Sequence, residues 1–511
     1  MNRILKSTLV VVIIFAMMPR LAAAQQPASE AAFRDIDPFI ESVIKEWKVP
    51  GLAIAVIQDG KVILSKGYGY RDVEKGLPVT PRTLFAIGSI SKSFTATVLG
   101  MLSDEGKLDW DKPVRAYMPD FQLHDAAATA QMTARDLVIH DSGLPRHDAL
   151  WYGSSLTRRQ LYERIRYLEP SKSFRSTFQY NNLMFMTAGL LAGQIAGTSW
   201  EQLVRHRLFE PLGMLRSGFS INDSQKSDDF ALTYSSAKNK IARIPFRNID
   251  EVGPAGSINS SVEEMIRYVQ LHIDKGRYGE AQLLSARNAE QMQTPQLVTP
   301  GTIEYEELGH RSYGLGLGIS SYRGNKTVEH GGGIDGFSAY LAFMPRKRAG
   351  LIILTNCTEG GTAVSIITRN VYDRLLGLDQ IDWSSRARKQ TEKAKQAAEE
   401  ARKKNATPRK EGTSLSHPLS DFAGDYNHPA YGRLKIEVEG SGLKGTFNQM
   451  AFSMKHFHYD IFEVPEDGEG SLVFLQNSKI AFFYNKKGEI DRVAIPLEAA
   501  VSDIVFTRAS K

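Results

Sequence analysis

The chain has 511 residues, of which 42% are hydrophobic and 23% are charged, as in ordinary soluble globular proteins of two or three domains. The formal net charge of +6 comes from the first 24 residues and from the stretch 386–410. Because the rest of the chain is mildly acidic, the charge does not favour nucleic-acid binding. The only cysteine, Cys357, excludes an internal disulfide.

The first 24 residues predict a signal for export. Arg3 and Lys6 precede a short apolar run at 9–18, and the small residues Ala22–Ala24 end the segment. This is the pattern of a cleavable secretory signal, with cleavage expected after Ala24. The apolar run is too short for a resident membrane helix, and no later segment is long and apolar enough to cross a bilayer. We therefore expect a secreted or periplasmic protein without a stable membrane span.

Residues 30–380 predict a single α+β domain. Strand-like runs occur at 52–58, 61–68, 313–322, 336–344 and 350–356, and helical spacing at 30–47, 89–105, 182–196 and 363–376. Asp59-Gly60 between the first two runs is a hairpin signal. Since strands lie at both ends of this region, the simplest closure is an antiparallel sheet flanked by helices, with the middle of the chain as a helical subdomain.

The remaining residues predict a linker and a second domain. Residues 384–416 are rich in Lys, Arg, Glu, Ala and Gln, which indicates a charged, partly helical linker without a core of its own. Short strand-like runs follow at 434–438, 443–447, 461–464, 472–475, 480–484, 492–495 and 504–507. Their spacing predicts a small all-β domain over 417–511, either a barrel or a sandwich.

One short motif suggests a nucleophilic serine. Ser89 and Lys92 stand three residues apart where a glycine turn gives way to a helical run, so a hydroxyl and an amine share one helix face. The alternative interpretation is an ordinary serine and a solvated lysine. By itself the motif is weak, because four-residue patterns of this kind occur by chance.

Two further segments contain residues that suit the same chemistry. Tyr180 could act as a proton shuttle if lysine cations lower its pKa, and Asn182 could hold Lys92; the alternatives are a core aromatic residue and a helix-capping asparagine. The run 330–333, His-Gly-Gly-Gly, lies just before the strand predicted at 336–344. Glycines there would let a backbone approach a ligand, and the alternative is a flexible turn with a surface histidine.

Two other kinds of catalysis lack the motifs that they need. A lipase-type hydrolase needs Gly-x-Ser-x-Gly, which does not occur in the chain. Zinc hydrolysis is not indicated either, because the chain has neither His-Glu-x-x-His nor a pair of cysteines. We therefore expect no metal and no cofactor.

Taken together, the motifs resemble the class C β-lactamase-related branch of the penicillin-recognising serine hydrolases. The matching segments, in order and at suitable spacing, are Phe85–Ala96, Asp136–Pro145, Tyr180-x-Asn182, Pro211–Met214, Gly253–Ser257 and His330-x-Gly332. The resemblance covers about residues 35–377. The motifs Phe422–Tyr426 and Pro429–Gly432 resemble a β domain of unknown function that is often appended to such hydrolases.

The resemblance implies a fold and a set of roles. It implies a β-lactamase-like fold in which Ser89 attacks an acyl carbon, while Lys92 and Tyr180 move its proton; which of the two is the base stays open. Asn182 would orient Lys92. The resemblance also implies that His330 and Gly332 bind substrate, with the oxyanion between the backbone N–H groups of Ser89 and Gly333.

One departure from the family pattern bears on the substrate. Class C β-lactamases have Lys-Thr-Gly where this chain has His330-Gly331-Gly332, so the usual contacts to a β-lactam carboxylate are reduced. This favours an esterase or a peptidase for short or D-amino-acid-containing peptides, with a cell-wall origin of the substrate and weak β-lactam hydrolysis both left open. The competing hypothesis is a catalytically silent relative that binds peptidoglycan fragments or a partner. The sequence does not predict an oligomeric state.

Overall fold

The computed structural model describes residues 30–237, 239–405, 407–466 and 475–509. The predicted export signal at 1–24 and most of the strand predicted at 472–475 lie outside these described residues. Within them, no helix is both long enough and apolar enough to span a membrane.

The helices and strands of the described residues are as follows. The α-helices are α1 (Ile36–Glu46), α2 (Ser91–Asp104), α3 (Ala126–Gln131), α4 (Ala134–Leu137), α5 (Arg158–Arg164), α6 (Asn182–Ala196), α7 (Trp200–Val204), α8 (Ile221–Ser224), α9 (Gly253–Gly256), α10 (Val262–Ile273), α11 (Ala286–Met292), α12 (Gly361–Leu376), α13 (Trp383–Asn405) and α14 (Leu419–Phe422). The strands are β1 (Gly51–Gln58), β2 (Lys61–Asp72), β3 (Leu77–Pro78), β4 (Phe85–Ala86), β5 (Tyr234–Ser235), β6 (Ala242–Arg243), β7 (Asn259–Ser260), β8 (Arg277–Tyr278), β9 (Ala281–Gln282), β10 (Leu297–Val298), β11 (Ser312–Tyr313), β12 (Gly318–Tyr322), β13 (Asn325–Ile334), β14 (Phe337–Met344), β15 (Ala349–Thr355), β16 (Gly424–His428), β17 (Gly432–Glu439), β18 (Gly442–Phe447), β19 (Met450–His458), β20 (Ile461–Glu463), β21 (Lys479–Tyr484), β22 (Ile490–Ile495) and β23 (Ile504–Arg508).

A nine-stranded antiparallel sheet joins the two ends of the first domain, as the sequence predicts. Its strand order is β10-β11-β12-β13-β14-β15-β1-β2-β3, so the opening hairpin pairs with the late strand β15. Asp59 and Gly60 both have positive φ values, 50° and 77°, as a tight hairpin turn of matching twist requires. The predicted α+β fold is therefore confirmed.

Strand β1 separates the two cores of this domain. Leu52, Ile54 and Val56 belong to the core that β15 shares with α1 and α12, and the alternate residues Ala53 and Ala55 belong to the core shared with the helical middle of the chain. Because successive strand residues point to opposite faces, a strand that is buried along its whole length serves both layers. The sheet is thus the middle layer between two sets of helices.

Two strand predictions in this domain need correction. The run predicted at 313–322 is two short strands, β11 and β12, because Gly314–Leu317 turn the chain between them. The run 330–333 does not precede a strand but lies inside β13, which pairs with β14 from Val328 to Ile334. The glycine-rich sequence of 330–333 does not predict a strand, and pairing with β14 holds these residues in one.

The described residues of the C-terminal domain form a closed barrel of eight strands, β16 to β23. The structure therefore confirms the appended all-β domain and selects the barrel over the sandwich. Two of its strands, β16 and β19, are absent from the sequence prediction.

The segment predicted as a linker at 384–416 is helical over α13. Ala, Glu, Lys, Arg and Gln are good helix formers, which explains a helix in so polar a segment. Trp383 is buried at its start, and Arg386 makes a bidentate ion pair with Glu307 at 2.9 and 3.1 Å. At the far end, Arg402 pairs with Glu466 of the barrel at 2.8 Å. The helix is therefore held at both ends.

Candidate active site

The Ser-x-x-Lys motif lies at the entrance to α2. Ser89 is in a 3-10 turn, Gly88–Ile90, immediately before the helix, and the buried side chains of Ile87 and Ile90 fix that turn in the core. Ser89 is half-buried, whereas Lys92 in the first turn of α2 is fully buried. The motif therefore brings Lys92 Nζ to 3.0 Å from Ser89 Oγ.

The surroundings of Lys92 favour its neutral form. Its Nζ donates hydrogen bonds to Asn182 Oδ1 at 2.8 Å and to the carbonyl of Ala255 at 2.7 Å. Burial holds the pKa of Lys92 well below its usual range; the Arg146 cation lowers it further and Asp148 opposes the shift. A neutral amine has two N–H donors, and both face carbonyl oxygens. Its lone pair is then left for the Ser89 hydroxyl.

Tyr180 lies on the other side of Ser89. Its hydroxyl hydrogen-bonds to the Ser89 side chain, and Lys92 Nζ is 4.8 Å from the centre of its ring. Burial raises the pKa of Tyr180 above its ordinary value, although the Ser89 hydrogen bond and the Arg146 cation oppose this. The condition that lysine cations lower the pKa of Tyr180 is therefore not met, because burial outweighs the groups that lower it. Tyr180 keeps its proton.

Asn182 connects Lys92 to a carboxylate that the sequence does not reveal. The N-cap of α6 is Asn181, which accepts from the N–H of Met184 at 2.9 Å, so Asn182 is not the capping residue. Asn182 Nδ2 donates instead to Asp148 Oδ1 at 2.9 Å, while its Oδ1 faces Lys92. The carboxylate accepts only from the NH₂ group, which fixes the orientation of the amide.

His330 is buried in β13 and has both ring nitrogens engaged. Nδ1 lies 2.6 Å from the carbonyl of Gly331, so it carries the proton, and Nε2 accepts from the hydroxyl of Tyr313 at 2.8 Å. Burial lowers the pKa of His330 to about 3, although the hydrogen bond to the Gly331 carbonyl opposes the shift. The ring is neutral and orients Tyr313, and neither nitrogen is left over for a ligand.

The glycines of β13 allow the strand to approach the Ser89 turn. A Cβ at Gly332 would lie 1.9 Å from the carbonyl oxygen of Ile87 and 3.2 Å from the backbone nitrogen of Ser89. A Cβ at Gly88, whose φ is +52°, would lie 2.6 Å from the backbone nitrogen of Gly333. Only glycine fits at such a distance. The two backbone segments to which the family resemblance assigns the oxyanion are thus adjacent.

An open cleft of about 510 Å³ lies over these residues. It is lined by Ser89, Arg146, Phe178, Tyr180, Arg311, Tyr313, Gly318, Glu329, His330, Gly331, Gly332, Gly333 and Tyr340. Strand β12 pairs with β13 only as far as Gly318 opposite Glu329, so no described strand pairs with residues 330–334 on that side. An edge of β13 is therefore exposed beside Ser89.

The structure brings together all seven residues singled out from the sequence and adds others to them. Arg146 and Asp148 form an ion pair at 2.5 Å and lie directly after the matched segment Asp136–Pro145, the only sequence signal that points to them. Tyr313 has a weaker signal, its place at the head of a glycine-rich run. Within the described residues, no cluster of His, Cys, Asp and Glu could hold a metal ion.

Comparison with known proteins agrees with this geometry. The beta-lactamase family model matches residues 36–375, and a model of a domain of unknown function, DUF3471, matches residues 408–508. The chain is 28% identical to the unguisins hydrolase ungD' of Aspergillus campestris over 425 residues, covering 79% of this chain and 77% of that protein.

Two solved structures share the fold. The octameric penicillin-binding protein homologue from Pyrococcus abyssi is 24% identical with a TM-score of 0.60, covering 92% of this chain and 99% of the other. A class C beta-lactamase is 21% identical with a TM-score of 0.54, covering 69% of this chain and 98% of the other. A serine, a buried lysine and a tyrosine on this fold define a class of serine hydrolases. The chain belongs to the beta-lactamase family.

Proposed function

We propose that the protein is an exported hydrolase that forms an acyl-enzyme on Ser89 with amide or ester substrates. The observation that carries the proposal is the position of Lys92 Nζ, 3.0 Å from Ser89 Oγ with both of its N–H donors directed at carbonyl oxygens. A buried neutral amine in this position is a base for a serine hydroxyl.

Acylation follows from the protonation states of the two neighbours of Ser89. Lys92 accepts the Ser89 proton as Oγ attacks the carbonyl carbon, and the carbonyl oxygen becomes an oxyanion. The backbone N–H groups of Ser89 and Gly333 stabilise that oxyanion. Tyr180 keeps its proton at neutral pH and is hydrogen-bonded to Ser89, so it can donate to the leaving group and recover the proton from Lys92. Of the two candidate bases, the proposal therefore assigns the role to Lys92.

Deacylation repeats these roles with water in place of the Ser89 hydroxyl. Water gives one proton to neutral Lys92 as its oxygen attacks the acyl carbon, and the Ser89 oxygen leaves with the proton of Tyr180, which then recovers a proton from Lys92. The atoms balance, because one water is consumed and one acid is released. No metal or cofactor takes part in these steps.

Two features of the cleft support peptide-like substrates over β-lactams. The exposed edge of β13 at 330–334 can pair with an extended amide chain as a further strand would. His330 contributes neither a cation nor a free donor, whereas Lys-Thr-Gly supplies both in class C β-lactamases. We therefore assign short peptides, including D-amino-acid-containing ones, and esters as the substrate class. The name of the unguisins hydrolase, which aligns over most of the chain, is in keeping with a hydrolase.

Covalent labelling tests the proposal directly. A fluorophosphonate probe is expected to label the wild-type protein at Ser89 and not the Ser89→Ala variant, with Ser103→Ala on the same helix as the matched control. The protein should turn over a short-chain nitrophenyl ester and hydrolyse nitrocefin slowly. No adduct on the wild type would favour the catalytically silent alternative, and fast nitrocefin hydrolysis would refute the substrate assignment.

Export has its own test. The assignment rests on the charge and apolarity pattern of residues 1–24. Expression of the full chain in a bacterial host, followed by N-terminal sequencing of the exported protein, is expected to give a mature chain that begins at Gln25. Retention of the intact chain in the cytoplasm would contradict it.

A further inference from the structure

The wall of the cleft includes a short loop, residues 146–153, that contacts both the active site and the barrel. On the active-site side, Arg146 lies 5.0 Å from the ring centre of Tyr180. Asp148 accepts from Asn182 Nδ2 at 2.9 Å and from Trp151 Nε1 at 2.8 Å. The loop thus contacts Tyr180 directly and contacts Lys92 through Asn182.

The barrel holds this loop at two points. His147 donates its backbone N–H to Glu498 Oε2 at 2.8 Å, and its ring nitrogen Nδ1 lies 2.8 Å from the hydroxyl of Tyr431. Its other nitrogen, Nε2, lies 3.1 Å from the carbonyl of Glu169, so Nε2 carries the proton and Nδ1 accepts from Tyr431. Further along the loop, Asn448 donates to the carbonyls of Ala149 and Tyr152 at 2.6 and 3.2 Å.

The backbone of the loop needs this support. His147 has a φ of 48° in the left-handed region, which costs a non-glycine residue on the order of 1 kcal/mol. Such a conformation persists where surrounding contacts determine it, and the side chain of His147 is almost fully buried between the two domains. Two of the hydrogen bonds that fix His147 come from the barrel.

No residue of the barrel lines the cleft among the described residues. The barrel therefore acts on the site through the loop and does not touch a bound substrate there. We propose that the barrel is a positioning part of the active site: Tyr431 and Glu498 hold the loop, and the loop in turn orients Asn182. This inference rests on the proposed function, because orienting Asn182 matters only if Lys92 is the base.

The proposal has a signature in the pH profile. The titratable and charged groups around Lys92 are Arg146, Asp148, Tyr180, His140 and His330. Exclusion of water is the largest cause of the lowered pKa of Lys92. A loosened loop readmits water, which raises that pKa, so the acidic limb of the rate profile moves to higher pH.

The test uses matched tyrosine variants of the full-length chain. Tyr431→Phe removes the hydroxyl that His147 accepts from, whereas Tyr426→Phe removes a buried barrel hydroxyl that bonds within the barrel, to the carbonyl of Phe422. Glu498→Gln is the second interface variant. Each is assayed for kcat, KM and the acidic limb with a nitrophenyl ester, together with fluorophosphonate labelling and thermal unfolding.

We expect Tyr431→Phe and Glu498→Gln to lower kcat by about tenfold and to move the acidic limb to higher pH, with KM changed less than kcat. Tyr426→Phe should leave the kcat and the limb of the folded protein unchanged. The positioning role would be overturned if both interface variants kept the wild-type kcat and the wild-type acidic limb of the pH–rate profile. It would also be overturned if kcat fell while the acidic limb stayed in place. Absence of Ser89 labelling in the wild type would instead overturn the proposed function.

Discussion

Replacing Asn182 with aspartate tests the assignment of Lys92 as the base. The amide of Asn182 accepts from Lys92 at 2.8 Å and donates to Asp148 at 2.9 Å. The substitution puts a carboxylate in contact with Lys92 with almost no change in volume. An anion at this distance favours the ammonium form, so the pKa of Lys92 rises.

The size of the effect follows from the separation of the two groups. An opposite charge within hydrogen-bonding distance shifts a pKa by about 1–3 units, and each unit is worth about 1.4 kcal/mol. Because the neutral amine is the active form, activity is present above the pKa of Lys92 and is lost below it. The acidic limb of kcat/KM should therefore move up by about 1–3 pH units in the variant. At a fixed pH below the limb, the rate should fall by about tenfold to a thousandfold.

The assay is the pH dependence of kcat/KM for a nitrophenyl ester. Asn288→Asp is the matched control, because the amide of Asn288 is also buried, accepts from Trp110 Nε1 at 2.9 Å and donates to Asp104 at 2.6 Å. The control shares the destabilisation by a second buried carboxylate but is remote from Lys92. An acidic limb that stays in place or moves down in Asn182→Asp would refute Lys92 as the base.

Three further predictions concern the strand, the core and the cleft. Gly332→Ala should lower ester turnover by at least about a hundredfold and lower the melting temperature, because a Cβ there would lie 1.9 Å from a carbonyl oxygen. Gly331→Ala is the control: the nearest atom to its Cβ would be 3.8 Å away, so this variant should melt like the wild type. His272→Phe should stabilise the protein more at pH 5 than at pH 8 in thermal melts: both ring nitrogens are buried without a hydrogen-bond partner among the described residues, and burial lowers the pKa of His272 to about 4. Below the ordinary pKa of histidine, the unfolded chain gains a proton at His272 that the folded chain does not bind, which lowers the free energy of unfolding by about 2 kcal/mol at pH 5. Phenylalanine removes this loss. An equal gain in stability at both pH values would contradict the prediction. Arg311 lines the cleft, and its guanidinium makes no ion pair or hydrogen bond among the described residues. Arg311→Met should therefore raise KM for peptides with a free carboxylate and leave KM for neutral esters unchanged; equal changes for both would contradict this.

The elements of the fold that depend on neighbouring residues could be predicted from the sequence, and those that depend on distant residues could not. Asp59-Gly60 adopts the two positive φ values that its residue types favour, and α6 begins and ends where its apolar run does. Strand β13 escapes prediction because three consecutive glycines carry no side-chain periodicity, and its order comes from pairing with β14.

The same division applies to the candidate site. Ser89 lies in the 3-10 turn that leads into α2 and Lys92 in the first turn of α2, so their contact follows from a spacing of three residues. Asp148 and Asn182 are 34 positions apart in the sequence, and only the folded chain brings them together. The raised pKa of Tyr180 depends on burial, and no motif encodes the burial of a particular ring.

Helix α13 determines how tightly the barrel can be held to the rest of the molecule. Its 23 residues make a rod of about 35 Å that is anchored at one end by Trp383 and at the other by the Arg402–Glu466 pair. When the contact between the barrel and the loop at 146–153 opens, a barrel attached to such a rod can move only through a small volume. The effective concentration of the barrel at the loop therefore stays high, and the two rebind within one molecule. Cutting the exposed middle of α13 would turn this into a bimolecular equilibrium, and the dissociation constant of the two fragments would measure the affinity of the interface alone.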